Sequence, residues 1–195
     1  MKHGQSFKTM AITINGNGTL TGVSVGGLPD GIVDTDMLAN NAVTAAKRGA
    51  GGILQIVTAT GEDSLSSTST SYVETTVTGS ITPKSSSSTI IITACVPVWP
   101  AAGTYLHVQL RSSGGNTNNN IGNWADAYSE NNGSGECFNS MYQWVHSSHS
   151  ATSAITYKIF AHKQTSDGTN WYFPNNNGDG NRTICWSLTM EELAV

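Results

Sequence analysis

Two aromatic pairs set among amides are the residues of this chain best equipped for chemistry. Trp124 and Tyr128 stand among Asn119, Asn120, Asn123 and Asp126, and Trp171 and Tyr172 stand between Asn170 and Asn175. An aromatic face stacks on the apolar face of a sugar ring, and amides and carboxylates bond its hydroxyls, so the combination suits glycan binding. The plainer reading is that the rings plug loop bases or pack between subunits. His146-Ser-Ser-His149 is a second arrangement: imidazoles at short spacing hold a metal if His107 or His162 joins from a neighbouring strand. Surface histidines at a strand end are the plainer reading, and no metal site is expected. Asn175-Asn-Asn-Gly-Asp-Gly-Asn181 alternates side-chain oxygens as calcium loops do, but lacks their string of carboxylates, so a polar turn is expected.

Catalytic constellations are sparse. There is no His-Glu-x-x-His and no P-loop. Glycan cleavage needs paired carboxylates on a rigid groove, whereas Asp126, Glu130 and Glu136 fall in one long loop and Asp167 and Asp179 in another. Asp34 and Asp36 suit a turn or cap, and Glu191 and Glu192 read as a solvated C-terminal pair. The chain is therefore read as non-enzymatic, with no catalytic residue and no cofactor.

The elements that must carry these residues are strands. Apolar, β-branched runs recur at Ile53–Ala59, Tyr72–Val77, Thr89–Val98, Tyr105–Leu110, Phe138–His146, Ile155–His162 and Thr183–Met190. Leu106, Val108 and Leu110 face one side of their strand, with Tyr105, His107, Gln109 and Arg111 on the other. Ile184, Trp186, Leu188 and Met190 likewise oppose Cys185, Ser187 and Thr189. Thr89-Ile-Ile-Ile-Thr93 is nearly continuous and suits a central strand. Seven or so strands with no long helix predict an all-β fold, an antiparallel β-sandwich of jelly-roll-like type. Long Asn- and Gly-rich loops are expected at Ser112–Glu136 and Gln164–Arg182.

Composition narrows the partners. Of 195 residues only 11% are charged, the net charge is −4, and the nine Lys and Arg are scattered along the chain, Lys47 and Arg48 alone being adjacent. Neutralising nucleic-acid phosphates takes clustered cations, so no nucleic-acid role is expected. No apolar run approaches bilayer-spanning length, so no membrane insertion is expected. The start, Met1 to Met10, lacks the apolar stretch of a signal peptide. Cys95, Cys137 and Cys185 are odd in number and widely spaced, which supports no disulfide framework and suggests buried small apolar residues.

The first fifty residues behave differently. Ala11–Ile14 and Thr19–Val25 alternate around Asn15-Gly16-Asn17-Gly18, which predicts a hairpin, and Pro29-Asp30-Gly31 is a turn. Ile32-Val33-Asp34-Thr35 is echoed by Ala42-Val43-Thr44-Ala45; a single helix from Asp36 to Arg48 is the alternative. Ile12, Ile14, Leu20, Val23, Leu28, Met37, Leu38 and Val43 are too sparse to close a core within one chain, so they are read as oligomerisation and anchoring residues. Residues 1–51 thus form an anchoring arm and short stalk, and 52–195 a knob, with Gly49-Ala-Gly-Gly52 as the break.

These segments carry a resemblance. Met10-Ala-Ile-Thr-Ile-Asn-Gly-Asn-Gly-Thr-Leu-Thr-Gly-Val-Ser-Val-Gly-Gly-Leu-Pro-Asp30 resembles the start of small tail-fibre-like virion proteins of tailed bacteriophages, of the type found in phages of aquatic bacteria and cyanobacteria. Ile32–Lys47 is similar to the degenerate repeats of fibre shafts. Gly52-Ile-Leu-Gln-Ile-Val-Thr-Ala-Thr60, Ser67–Thr75, Ser80–Ser88 and Leu188-Thr-Met-Glu-Glu-Leu193 are similar to the β-rich heads that follow such shafts. The resemblance implies a homotrimeric structural protein of the virion, made in the host cytoplasm, with partners in sister chains and in other virion proteins reached through the arm. It transfers no catalytic residue. Because the shaft is nearly absent, a tail fibre, a capsid decoration or head fibre, and a lectin holding host cell-surface glycan are all open.

Overall fold

The chain is described by a computed structural model covering residues 13–14, 20–21, 47, 49–100, 103–114, 120–128, 137–147, 149–175 and 185–195, with backbone alone for 13–14, 20–21 and 123–128. It divides into two compact units, Met1–Ala42 and Val43–Val195. In the first unit, β1 (Thr13–Ile14) and β2 (Leu20–Thr21) pair antiparallel, with Ile14 opposite Leu20, which is the expected hairpin. Ile12, Val23, Leu28, Met37 and Leu38 lie outside the described residues. So does Val43, which begins the second unit.

Among its described residues the second unit holds ten strands: β3 (Ile53–Gly61), β4 (Ser66–Ser67), β5 (Val73–Ile81), β6 (Thr89–Val98), β7 (Tyr105–Ser113), β8 (Gly122–Tyr128), β9 (Phe138–His146), β10 (Ile155–Lys163), β11 (Trp171–Tyr172) and β12 (Trp186–Leu193). Two four-stranded sheets run in the orders β3–β12–β6–β9 and β5–β10–β7–β8, and β4 pairs with β11 apart from them. All of these ladders are antiparallel. Among the eight long strands, one sheet takes the first, eighth, third and sixth, and the other the second, seventh, fourth and fifth. That order is the double Greek key of a jelly roll.

Period-two alternation builds the interior. Ile90, Ile92, Ala94, Val96 and Val98 of β6 are fully buried, as are Leu188 and Met190 of β12. Leu106, Val108 and Leu110 of β7 and Tyr157, Ile159 and Ala161 of β10 oppose them from the other sheet. Each such large apolar side chain contributes about 1.5–3 kcal/mol of burial free energy. The sheets approach closely at Gly79, where a Cβ would meet Met190 Cε at 2.9 Å and the Ala59 Cβ at 3.2 Å. Gly61 is tighter still, since a Cβ there would stand 2.5 Å from Cζ2 of the Trp186 indole.

Thr89–Val98 is central as expected, bonded to β12 on one side and β9 on the other. Three expectations are corrected. The stretch from Ser112 to Glu136 is not one loop, because Gly122–Tyr128 forms an edge strand on β7. The last strand extends to Leu193, so Glu191 and Glu192 are inside a sheet, and Glu192 is fully buried. Cys95, Cys137 and Cys185 are all exposed; Cys95 occupies an outward position of β6, opposite Ser187 and Met141. Beside the end of β12, Gly51 N donates to Ala194 O at 2.7 Å, and Ala194 N to Gly52 O at 2.8 Å.

Gly61→Ala is expected to destabilise the knob by about 1–3 kcal/mol, because a rigid indole must shift to admit the methyl group. Thr60→Ala, at an exposed neighbouring position, is expected to stay within about 0.5 kcal/mol of the parent. Urea unfolding of the two variants measures the difference.

Candidate functional site

The outward face of β5–β10–β7–β8 concentrates the chemistry of the knob. Its inward positions are mainly apolar, so the alternation sends Glu74, Lys158, Phe160, His162, His107, Gln109 and Arg111 outward. Register then places them as pairs: His107 opposite His162, Gln109 opposite Phe160, and Arg111 opposite Lys158. Glu74 stands opposite Phe160 on its other flank. The two imidazoles stack at 4.8 Å, and Tyr72 meets His162 edge-on at 4.4 Å. The Arg111 guanidinium lies 4.0 Å from the Phe160 ring centre and 5.6 Å from that of Tyr72. Its Nε donates to Gln109 Oε1. Lys158 Nζ donates to Glu74 Oε1 at 2.5 Å. Glu74, Arg111, Ser112, Ser113, Lys158 and Phe160 line a groove of about 260 Å³. Burial raises the Tyr72 phenol above its ordinary pKa, and the nearby Arg111 charge works against that rise.

The aromatic pairs singled out in the sequence are placed differently. Trp171 has no exposed surface, and its Nε1 donates to Ser69 O at 3.1 Å. The expectation of a sugar-stacking face at Trp171 is corrected on that ground, since a ring packed on all sides offers no platform. Tyr172 is half-buried and stacks on Trp99 with ring centres 4.8 Å apart. Their backbones exchange two hydrogen bonds, Trp99 N to Tyr172 O at 3.0 Å and Tyr172 N to Trp99 O at 2.9 Å. Trp124 is registered opposite Val108 and Tyr128 opposite Tyr105; their side chains lie outside the described residues. Asn175 is buried, and the rest of Asn175–Asn181 also falls outside them.

His146 and His149 are buried rather than at the surface. His146 Nδ1 lies 2.8 Å from the Tyr157 hydroxyl. Burial, then the neighbouring His149, lowers the His146 pKa. His149 Nδ1 accepts from Ala151 N at 3.2 Å, so in the neutral ring Nε2 carries the proton and donates to Ser88 Oγ at 3.1 Å. Ser88 Oγ in turn lies 2.6 Å from Glu192 Oε1 and 2.8 Å from Ser85 O. This looks like a serine–histidine–carboxylate set, but the order is wrong. The hydroxyl, not the imidazole, stands in the middle, its proton points at an oxygen acceptor, and Ser88 is buried. The arrangement pins a loop instead. Glu192 also accepts from Lys84 N at 2.8 Å, Ser85 N at 3.0 Å and Gln55 Nε2 at 2.6 Å. Burial alone would raise its pKa; the Ser88, Lys84, Gln55 and Ser85 donors together outweigh it and hold it below the ordinary value. Lys163 is a second buried charge, held by Asp167 and by Thr169 O at 2.7 Å.

Among the described residues, no group of three or more His, Cys, Asp or Glu is placed to hold a metal ion, and no helix is long and apolar enough to cross a membrane. No family model and no curated protein matches the chain. Among solved structures it is similar to the crystal structure of the infectious bursal disease virus VP2 subviral particle, at 14% identity and a TM-score of 0.39. The similarity covers 72% of this chain and 37% of that one.

Glu192→Gln is expected to cost about 2 kcal/mol at pH 7, the scale of hydrogen bonds to a charged acceptor. Because the folded pKa of Glu192 is depressed, its contribution is complete above the unfolded carboxyl value of about 4.3 and is lost as pH falls through the folded value. Thermal melts from pH 7 to pH 3 should show a shallower acid decline in Glu192→Gln than in the parent. His146, whose pKa is lowered in the fold, adds an earlier decline as pH falls below about 6.5, where the unfolded chain takes up its proton first. His146→Gln should remove that step.

Proposed function

We propose that this chain is a non-catalytic structural component of a tailed-phage virion, a short tail-fibre-like homotrimer with an N-terminal anchoring arm and an exposed jelly-roll head. The observation that carries the reading is the outward face of β3–β12–β6–β9. Register aligns Ile56, Glu191, Ile91 and Val145 in one row, Thr58, Thr189, Thr93 and Gln143 in the next, and Thr60, Ser187, Cys95 and Met141 in a third. Ile56, Val145 and Met141 are 54%, 59% and 75% exposed, and these rows contain one carboxylate and no cation. An apolar and threonine-rich sheet face of this kind suits contact with a sister chain. Four strands about 4.8 Å apart and about 30 Å long give about 600 Å², below the ~800 Å² per partner of a stable interface. The arm, with Ile12, Ile14, Leu20, Val23, Leu28, Met37, Leu38 and Val43, supplies the rest of the contact.

The non-catalytic part of the reading is supported by how the best-contacted carboxylates are used. Glu74 is paired with Lys158, Asp167 with Lys163, and Glu192 with loop amides. Position on the tail and position on the capsid surface are two forms of the same reading, separated by labelling intact particles with an antibody to the knob.

Sedimentation velocity on the full chain should give a trimer. Met141→Glu with Val145→Glu, both at exposed positions, should shift it toward monomer without changing the melting profile of the knob. A parent chain that sediments as a monomer at tens of micromolar would sink the trimer.

A further inference from the structure

We propose that the groove between Arg111 and Lys158 binds the carboxylate of an acidic sugar residue, a uronic acid or its like. The argument starts from an electrostatic cost. Arg111 and Lys158 are direct cross-strand neighbours, and like charges so placed destabilise a ladder. Glu74 neutralises Lys158, which leaves one net positive charge at the groove. Gln109 takes the Arg111 Nε, and Phe160 backs the guanidinium plane at 4.0 Å. No acceptor among the described residues bonds the two Nη groups. The fork is thus held in orientation before any ligand arrives, with its paired donors uncommitted, and a planar carboxylate matches that fork bidentately.

Size and lining select the rest of the ligand. About 260 Å³ lies just under the usual range for small-molecule pockets, which admits one ring rather than an extended chain. Ser113 offers a hydroxyl at an exposed rim, suited to ring hydroxyls, and Glu74 at the opposite wall accepts from them. The Phe160 edge and the Lys158 stem supply the apolar contact a sugar ring needs. Binding there requires neither an oligomer nor a particle, and it uses none of the aromatic residues first marked for glycan.

Titration of the full chain with sodium glucuronate, followed by isothermal calorimetry and by backbone amide shifts, tests the site. The expected result is a dissociation constant of about 1 mM, with shifts centred on Arg111, Ser113 and Lys158. Arg111→Gln should weaken binding at least tenfold, since a hydrogen bond to a charged group is worth about 1.5–3 kcal/mol. Arg111→Lys should recover only part of it, because the charge returns without the fork. Ser113→Tyr fills the groove from an exposed position and should block binding while leaving the melting temperature unchanged, which guards against misfolding of the arginine variants. No glucuronate binding at 20 mM, or equal binding by Arg111→Gln, overturns the site. Equal affinity for sulfate, or for glucose, overturns the assignment to an acidic sugar.

Discussion

The last strand governs this fold. β12 is hydrogen-bonded along both edges, to β3 at the start of the knob and to β6 beyond it, so neither neighbour has its full ladder until the C-terminus arrives. Every other feature of that sheet depends on its register. Trp186, Leu188 and Met190 point inward only if Met190 stands opposite Val57 and Ile92; a slip of one residue would send all three to solvent. Glu192 is the lock on that register. Its carboxylate collects amide donors from Lys84 and Ser85 and the hydroxyl of Ser88, and a strand displaced by one position would carry the carboxylate to the outer face and leave those donors without their acceptor. Contacts this distant in sequence place most of the closure entropy ahead of the reward, so slow folding is the natural consequence.

The two outer faces divide the labour of the surface. One carries Ile56, Ile91, Met141 and Val145 in rows of threonine and serine; the other carries Arg111, Lys158, Glu74 and the stacked His107–His162 pair. A chain with only 11% charged residues has few ions to distribute, so it is informative that the two cations of these described outer faces, Arg111 and Lys158, lie together on the second. Apolar area without charge favours burial against another surface, and cations with incomplete partners favour contact with an anion. Charge neutralisation on the second face is local and partial: Glu74 serves Lys158, and the aromatic rings of Phe160 and Tyr72 serve Arg111.

Much of the architecture was legible in the sequence, because alternation survives in every long strand whose two sides differ. Thr89–Val98 and Phe138–His146 were read at their true bounds. The same alternation put Tyr105, His107, Gln109 and Arg111 on one side of β7. It did not flag the partners across the ladder, although Lys158, Phe160 and His162 alternate with Tyr157, Ile159 and Ala161 in the same manner. β8 escaped because Gly122, Asn123 and Asp126 are poor strand formers, and an edge strand takes its order from the neighbour it pairs with rather than from its own propensity. The cysteines, Trp171, the histidine pair and Glu192 show the complementary failure. Periodicity says which residues share a side, but burial of a polar group is decided by donors far away in the chain, and burial of Trp171 by the Ser69 loop that meets it.

These distant donors also explain why a serine, a histidine and a glutamate come together here without forming a nucleophilic centre. The carboxylate is needed to satisfy the amides of Lys84 and Ser85, the hydroxyl bridges to it, and the imidazole fills the remaining acceptor site on that hydroxyl while receiving Ala151 N. Each donor has an acceptor and each ring nitrogen a partner. A nucleophile requires the opposite condition, a hydroxyl whose proton passes to the imidazole and whose oxygen faces open space. Full satisfaction of the network is therefore evidence of what it does: it joins the β5–β6 loop, the β9–β10 loop and the C-terminal strand at one point, at the end of the sandwich where Gly51 and Gly52 bind Ala194.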